Sequence, residues 1–279
     1  LLTLRNRTTT VAKSSEVDRV GTLLVSISLG AAVLALNLTG TRGWGDPVVI
    51  IAAVSAVLSA AGFVGLSGRV AHPVLELELF RSVDFAAANV LAIIANGAMF
   101  ATWLLVPSLL IDQLGTSLLI AGLVLAASPA ATAAASSLAG RSSGRTTSWS
   151  LGALGLVVEG AGMIGLSQVD VTWSGAHVAL LLAVVGLGLG LFSVPNMATV
   201  MQGVGNDKQG VAGGLSLMTR TIGVVAGVAA ASALADRIEP TRGFLGSFEV
   251  VFAVSGAVLW GSGLLAVVLA VRPLVVRRR

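Results

Sequence analysis

The chain has 279 residues, 55% of them hydrophobic and only 11% charged, against about 25% charged in soluble domains. With a mean hydropathy of +0.94 it reads as an all-α membrane protein, which excludes a soluble globular or disordered chain. Cysteine is absent, which excludes disulfides, a thiol nucleophile and cysteine metal sites.

The remaining chemistry is sparse. The two histidines, His72 and His177, lie far apart and at span edges. No metal-binding, phosphate-cradling or nucleic-acid motif is present, so neither a metal, a cofactor nor a nucleic-acid partner is expected. An intramembrane enzyme would need a base or paired acids inside a span, and no histidine lies there; the expectation is that the protein is not an enzyme. The net charge of +4 reports loop topology in a chain of this kind.

Residues 1–19 form a polar lead-in that is not a signal peptide. The chain opens on Leu1, and the expectation is a fragment of a longer protein. Eight apolar runs follow, at 20–39, 47–67, 84–111, 117–139, 148–167, 176–202, 209–235 and 248–271, each near the ~20 residues a bilayer crossing requires. With the N-terminus in the cytoplasm, thirteen of the seventeen basic residues fall on inner segments and three, Arg42, Arg237 and Arg242, on outer loops; Arg220 lies within a span. That asymmetry fits a multi-pass protein of the cell membrane with both ends cytoplasmic. Residues 68–83 are too polar to span and too apolar for a free linker, and read as an interfacial segment. The tail, 272–279, is basic.

Several spans carry groups that a passive anchor would not. The sixth holds Pro195, Asn196, Thr199 and Gln202, and a proline inside a span frees a carbonyl that must find a partner. Pro107 and Pro129 mark similar weak points in the third and fourth spans. Asn89, Asn96 and Trp103 recur every seven residues on one face, a stripe that reads either as a cavity lining, with Trp103 stacking on a drug, or as a packing seam. Arg220, costly at mid-bilayer, shares a face with Gly213, Ser216, Gly223 and Gly227; it reads as a substrate-binding or proton-coupling cation, or as a structural arginine bonded to carbonyls. Glu159 is the one acid deep in a span and a candidate proton carrier. It lies as far from its inner span end as Arg220, so the two are candidates for an interaction, direct or through water. Glycines recur at four-residue spacing at Gly186/Gly190, Gly210/Gly214 and Gly223/Gly227, which favours close helix packing.

The segment His72 to Arg81 (HPVLELELFR) resembles the stretch that fourteen-span drug:proton antiporters of the major facilitator superfamily carry before their ninth span. Gly188 to Met197, Gly210 to Leu215 and Thr219-Arg220 are similar to that family's twelfth and thirteenth spans. Gly140 to Arg145, with Arg141 and Arg145, looks like a degraded copy of the superfamily's basic loop motif and lacks its aspartate. The resemblance implies spans seven to fourteen: two extra central helices at 20–67, the linker at 68–83 and a C-terminal six-helix transport bundle at 84–271, with an N-terminal six-helix half as the missing partner. It implies proton-coupled efflux of small hydrophobic or cationic compounds, with the lipid bilayer, the compound and protons as partners. The alternatives are an exporter of one metabolite or endogenous antibiotic, or a non-functional fragment.

Overall fold

A computed structural model describes residues 19–43, 45–67, 77–142, 148–202, 204–205 and 209–276. The lead-in, Trp44, residues 68–76 with His72, Arg145, Asp207, Lys208 and the last three arginines lie outside the described residues. The described residues form helices and no strand, in two compact units divided after Leu77.

The first unit pairs α1 (Arg19–Arg42) with α2 (Pro47–Ser67). Gly43, at φ 77°, ends α1, a conformation glycine adopts without steric cost. Asp46 then accepts the Val48 N–H at 2.8 Å, which caps α2, and Pro47 occupies the first helical position where its missing N–H is harmless. Ala52, Ala56 and Phe63 are buried in the pair, and the Ser28 hydroxyl donates to the Ala56 carbonyl at 3.0 Å. Ile50, Ile51, Val54, Val57 and Leu58 stay exposed, as expected of helices solvated by hydrocarbon.

The second unit contains α3 (Val83–Ser108), α4 (Leu118–Ser142), α5 (Ser148–Ser167), α6 (Gly175–Gln202) and α7 (Gln209–Val276). By length and apolar content all five can cross a membrane. The 68-residue α7 is broken at Gly243, whose φ of 69° and ψ of 178° are not helical. Gly223 and Val258 line one cavity, yet 35 residues of straight helix would hold them ~50 Å apart. The chain therefore folds back, and α7 supplies two arms, 209–242 and 244–276.

This corrects the expected loop at 236–247. The first arm stays helical through its polar end, where Asp236, Arg237, Glu239 and Arg242 are exposed, and a single glycine makes the turn. A second difference lies after Pro107: α3 ends in a π-turn, Leu109–Gln113, in which the Leu114 N–H reaches the Leu109 carbonyl at 3.0 Å and the Thr116 N–H and hydroxyl both reach the Leu110 carbonyl. The wider turn is the local adjustment that lets the helix end after a proline.

The helices meet at glycines. A Cβ built on Gly186 would fall 2.1 Å from the Ser128 carbonyl oxygen of α4, and one on Gly190 2.5 Å from that of Thr132; on Gly223 and Gly227 it would strike the backbones of Ile93 and Gly97 of α3. On the α5–α6 seam Gly155 meets Phe192, Gly162 meets Val185, and Gly188 meets the backbone of Glu159. Gly210 and Gly214 face open space, so two of the three four-residue pairs are contacts and the third is not. The Trp260 indole N–H donates to the Val157 carbonyl at 3.1 Å and ties the second arm of α7 to α5.

Gly186→Ala forces α4 and α6 apart and costs about 1–3 kcal/mol. Gly214→Ala meets nothing within 4 Å and stabilises by roughly 0.4–1 kcal/mol through the unfolded chain. Thermal unfolding followed by circular dichroism in detergent micelles is expected to move in opposite directions for the two.

Candidate functional site

The glycine contacts set which residues share a depth. Gly223 lies against Ile93 and Gly227 against Gly97, so α3 and the first arm of α7 run parallel, and Asn89 stands level with Thr219. Ser128 touches both Met99, Oγ to Sδ 3.6 Å, and Gly186. Ten residues from Met99 toward the start of α3 is Asn89; ten residues from Gly186 toward the end of α6 is Asn196. The Met201 methyl lies beside Gly213, and five residues back along α6 and five on along α7 are Asn196 and Met218. Three independent pairings thus bring Asn89, Asn196 and Thr219-Arg220 to one level.

That level is polar and buried. Asn89 is 1% exposed, Asn196 4%, Thr219 6% and Thr199 8%, and Ser216, one turn before Arg220 on α7, is fully buried. Local backbone carbonyls satisfy part of it. The Asn89 amide donates to the Phe85 carbonyl at 2.9 Å, the Thr199 hydroxyl to that of Pro195 at 3.0 Å, and the Thr219 hydroxyl to that of Leu215 at 2.9 Å. Asn89 Oδ1, both polar atoms of the Asn196 amide, Ser216 Oγ and Arg220 Nε are buried with no hydrogen-bond partner among the described residues. Orphaned polar atoms of this kind are rare in native structures and are most costly where no water is present.

The structure separates residues that the sequence pattern grouped. Asn196 continues the buried stripe of Leu182 and Leu189 and lies in the bundle interior with Thr199, whereas Gln202 is exposed. The α3 stripe is graded: Asn89 is buried, Asn96 half-buried with its amide donating to the Ala92 carbonyl at 2.8 Å, and Trp103 44% exposed with its ring 6.5 Å from Phe100. A seven-residue repeat drifts ~20° per heptad on a straight helix, so the stripe winds from the α7 seam onto the open side. Pro107, Pro129 and Pro195 all sit inside helices, and Arg141 is exposed at the end of α4.

Glu159 is fully buried on the α5–α6 seam, with its Cβ against Gly188. Gly188 lies eight residues before Asn196 on α6, which is ~12 Å of helix. Neither carboxyl oxygen has a partner among the described residues, so no direct bond to Arg220 forms. Equal counts from the span ends did not translate into equal depth, because depth follows from where helices cross. Ser216 carried only a weak sequence signal, its place one turn before Arg220.

An apolar cavity of about 270 Å³ lies between α3 and both arms of α7, with Ile93, Gly97, Ala98, Gly227, Leu234 and Val258 in its walls. On α3 Ala98 and Ala101 sit more than a quarter turn from Asn89, whereas Ile93 lies about 40° from it, so the cavity adjoins the polar stripe at Ile93. No group of three or more histidine, aspartate or glutamate side chains that could hold a metal occurs among the described residues.

The native chain has no cysteine, so single replacements report access directly. Trp103→Cys and Gln202→Cys are expected to react with a small maleimide at least about tenfold faster than Asn89→Cys or Asn196→Cys, as exposed thiols do relative to buried ones.

No protein-family model matches the chain. It is 29% identical over 231 residues to the methylenomycin A resistance protein of Streptomyces coelicolor, an alignment that covers 82% of this chain and 48% of that protein. It is 30% identical over 217 residues to the multidrug resistance protein Stp of Mycobacterium tuberculosis, covering 76% and 39%. It is 26% identical over 214 residues to the MFS-type transporter EfpA of the same organism, covering 75% and 40%. The chain thus spans less than half the length of each of these relatives. Membrane-length helices and transporter relatives aligned over three quarters of the chain point to one family: the chain belongs to the major facilitator superfamily.

Proposed function

We propose that the protein is part of an exporter that moves small, largely apolar organic compounds across the cell membrane, driven by inward proton flow. The observation that carries the proposal is the buried polar level shared by α3, α6 and α7, whose orphaned atoms have no hydrogen-bond partner among the described residues. The names of its resistance-protein relatives support the same reading.

In this proposal the bundle at 84–271 rocks as one body against a second six-helix bundle, about a site near the bilayer midplane. α3 and the first arm of α7 present the Asn89–Asn96–Trp103 face and Arg220 to the compound. Pro195 removes the N–H that would bond the Leu191 carbonyl, which leaves α6 deformable beside Asn196. Glu159 is the candidate proton carrier, acting from a separate seam and not as a partner of Arg220. Both ends of the chain lie in the cytoplasm, as the basic residues distribute. Catalysis has no part in it.

Extrusion of Nile red, an uncharged apolar dye with a carbonyl acceptor, from cells expressing the protein tests this. Extrusion is expected to stop on addition of a protonophore and to fall about tenfold or more in Arg220→Ala, the scale of losing a hydrogen bond to a charged group. Glu159→Gln is expected to keep Nile red binding while abolishing the response to a pH gradient. Extrusion that persists with the gradient collapsed would refute the coupling, and extrusion unaffected by Arg220→Ala would remove the site.

A further inference from the structure

The only charged side chain at the polar level among the described residues is a cation, Arg220. Among the described residues, Arg220 makes no ion pair. The nearest acids in depth are Asp84, five residues or ~7.5 Å from Asn89 along α3, and Glu159 of α5, whose Cβ lies against Gly188, eight residues or ~12 Å from Asn196 along α6. α3 has one acid, Asp84 in its exposed first turn, and α6 has no charged side chain along its described length. A cationic compound arriving at the α3–α7 seam would therefore meet a like charge and no counter-charge.

The partnerless atoms define what the seam can hold. Arg220 offers a charged N–H from a buried Nε, Ser216 a hydroxyl that donates or accepts, and Asn89 an oxygen that accepts because its own amide hydrogens are turned to the Phe85 carbonyl. Ser216 and Asn89 are at least nine-tenths buried. They lie within about one helical turn of Arg220 in depth, on helices packed backbone to backbone at Gly223 and Ile93. One cationic donor, one hydroxyl and one acceptor match a carboxylate that carries or neighbours a donor group, and guanidinium–carboxylate bonds are among the stronger ones available in a dry site.

We infer that the seam between α3 and the first arm of α7 is a carboxylate-binding site, in which Arg220 and Ser216 hold the anionic end of an apolar organic acid. The inference rests on the efflux reading of that seam and narrows it: the cargo is an apolar acid, where the sequence resemblance implied hydrophobic or cationic compounds. Asn89 accepts from any hydroxyl the compound carries. Beyond the carboxylate toward the end of α3, the half-buried Asn96 and the exposed Phe100 and Trp103 give its apolar body a surface.

Three probes with one ring system test it: 2-naphthoate, methyl 2-naphthoate and 2-naphthylmethylammonium, each bound to the purified chain in detergent micelles by equilibrium dialysis at neutral pH. Naphthoate is expected to bind about tenfold or more tightly than the other two, the scale of one hydrogen bond to a charged group. Arg220→Ala is expected to erase the preference for naphthoate over its ester, and Arg220→Lys to retain part of it, with circular dichroism showing that both variants fold. Ser216→Ala is expected to weaken naphthoate alone. Equal binding of acid and ester, or a preference that survives Arg220→Ala, overturns the inference. Tighter binding of the ammonium overturns it while leaving the efflux reading standing, and failure of all three to bind overturns both.

Discussion

Close contact between helix backbones, permitted by glycine, is the constraint on which the second unit depends. Lipid provides no hydrophobic drive for helices to associate, so packing has to come from surfaces that fit without side chains between them. At Gly186, Gly188, Gly223 and Gly227 the neighbouring backbone occupies the space a Cβ would need. Such contacts fix register as well as proximity, because a shift along the helix brings a larger residue into the crossing. The polar level follows from that register. Asn89, Asn196 and Arg220 are far apart in sequence and on three elements, and they share a depth only because Ile93 meets Gly223 and Ser128 meets both Met99 and Gly186.

The same packing separates two kinds of buried polarity. Around Asn89, Ser216 and Arg220, orphaned atoms lie at a seam next to the open face of α3. Around Glu159, a carboxyl is enclosed on the α5–α6 seam, where glycines line the contact. A carrier needs a place that binds cargo and a place that registers the driving ion. Placing them on different seams would let one respond to the other through helix movement without direct contact.

Much of this was legible in the residues. Apolar run lengths located most of the helices to within a few positions, and α5 begins and ends where its run does, at Ser148 and Ser167. Charges and prolines inside spans stood out because lipid makes them expensive. Other features were hidden for physical reasons. A four-residue glycine spacing describes one helix and says nothing of its partner, so it marked Gly210/Gly214, which touch nothing, as readily as Gly223/Gly227, and it passed over Gly188. The segment 236–247 has a loop's polarity, yet polar residues continue a helix past the membrane edge without cost, and Gly243 alone makes the turn. Counting residues from span ends put Glu159 and Arg220 at equal depth, whereas depth depends on crossings that one sequence does not reveal.

The register between α3 and the first arm of α7 is the most direct point to measure. In the cysteine-free chain, Asn89→Cys paired with Thr219→Cys is expected to form a disulfide under mild oxidation in the membrane. Pairs of Asn89→Cys with Ala212→Cys or Ala226→Cys, each two turns away along α7 and so ~10 Å off level, are expected to stay reduced, since a disulfide requires α-carbons within roughly 7 Å. Cross-linking of either displaced pair in place of the 89–219 pair would show that the polar groups do not share a depth, and the site at the α3–α7 seam would not exist.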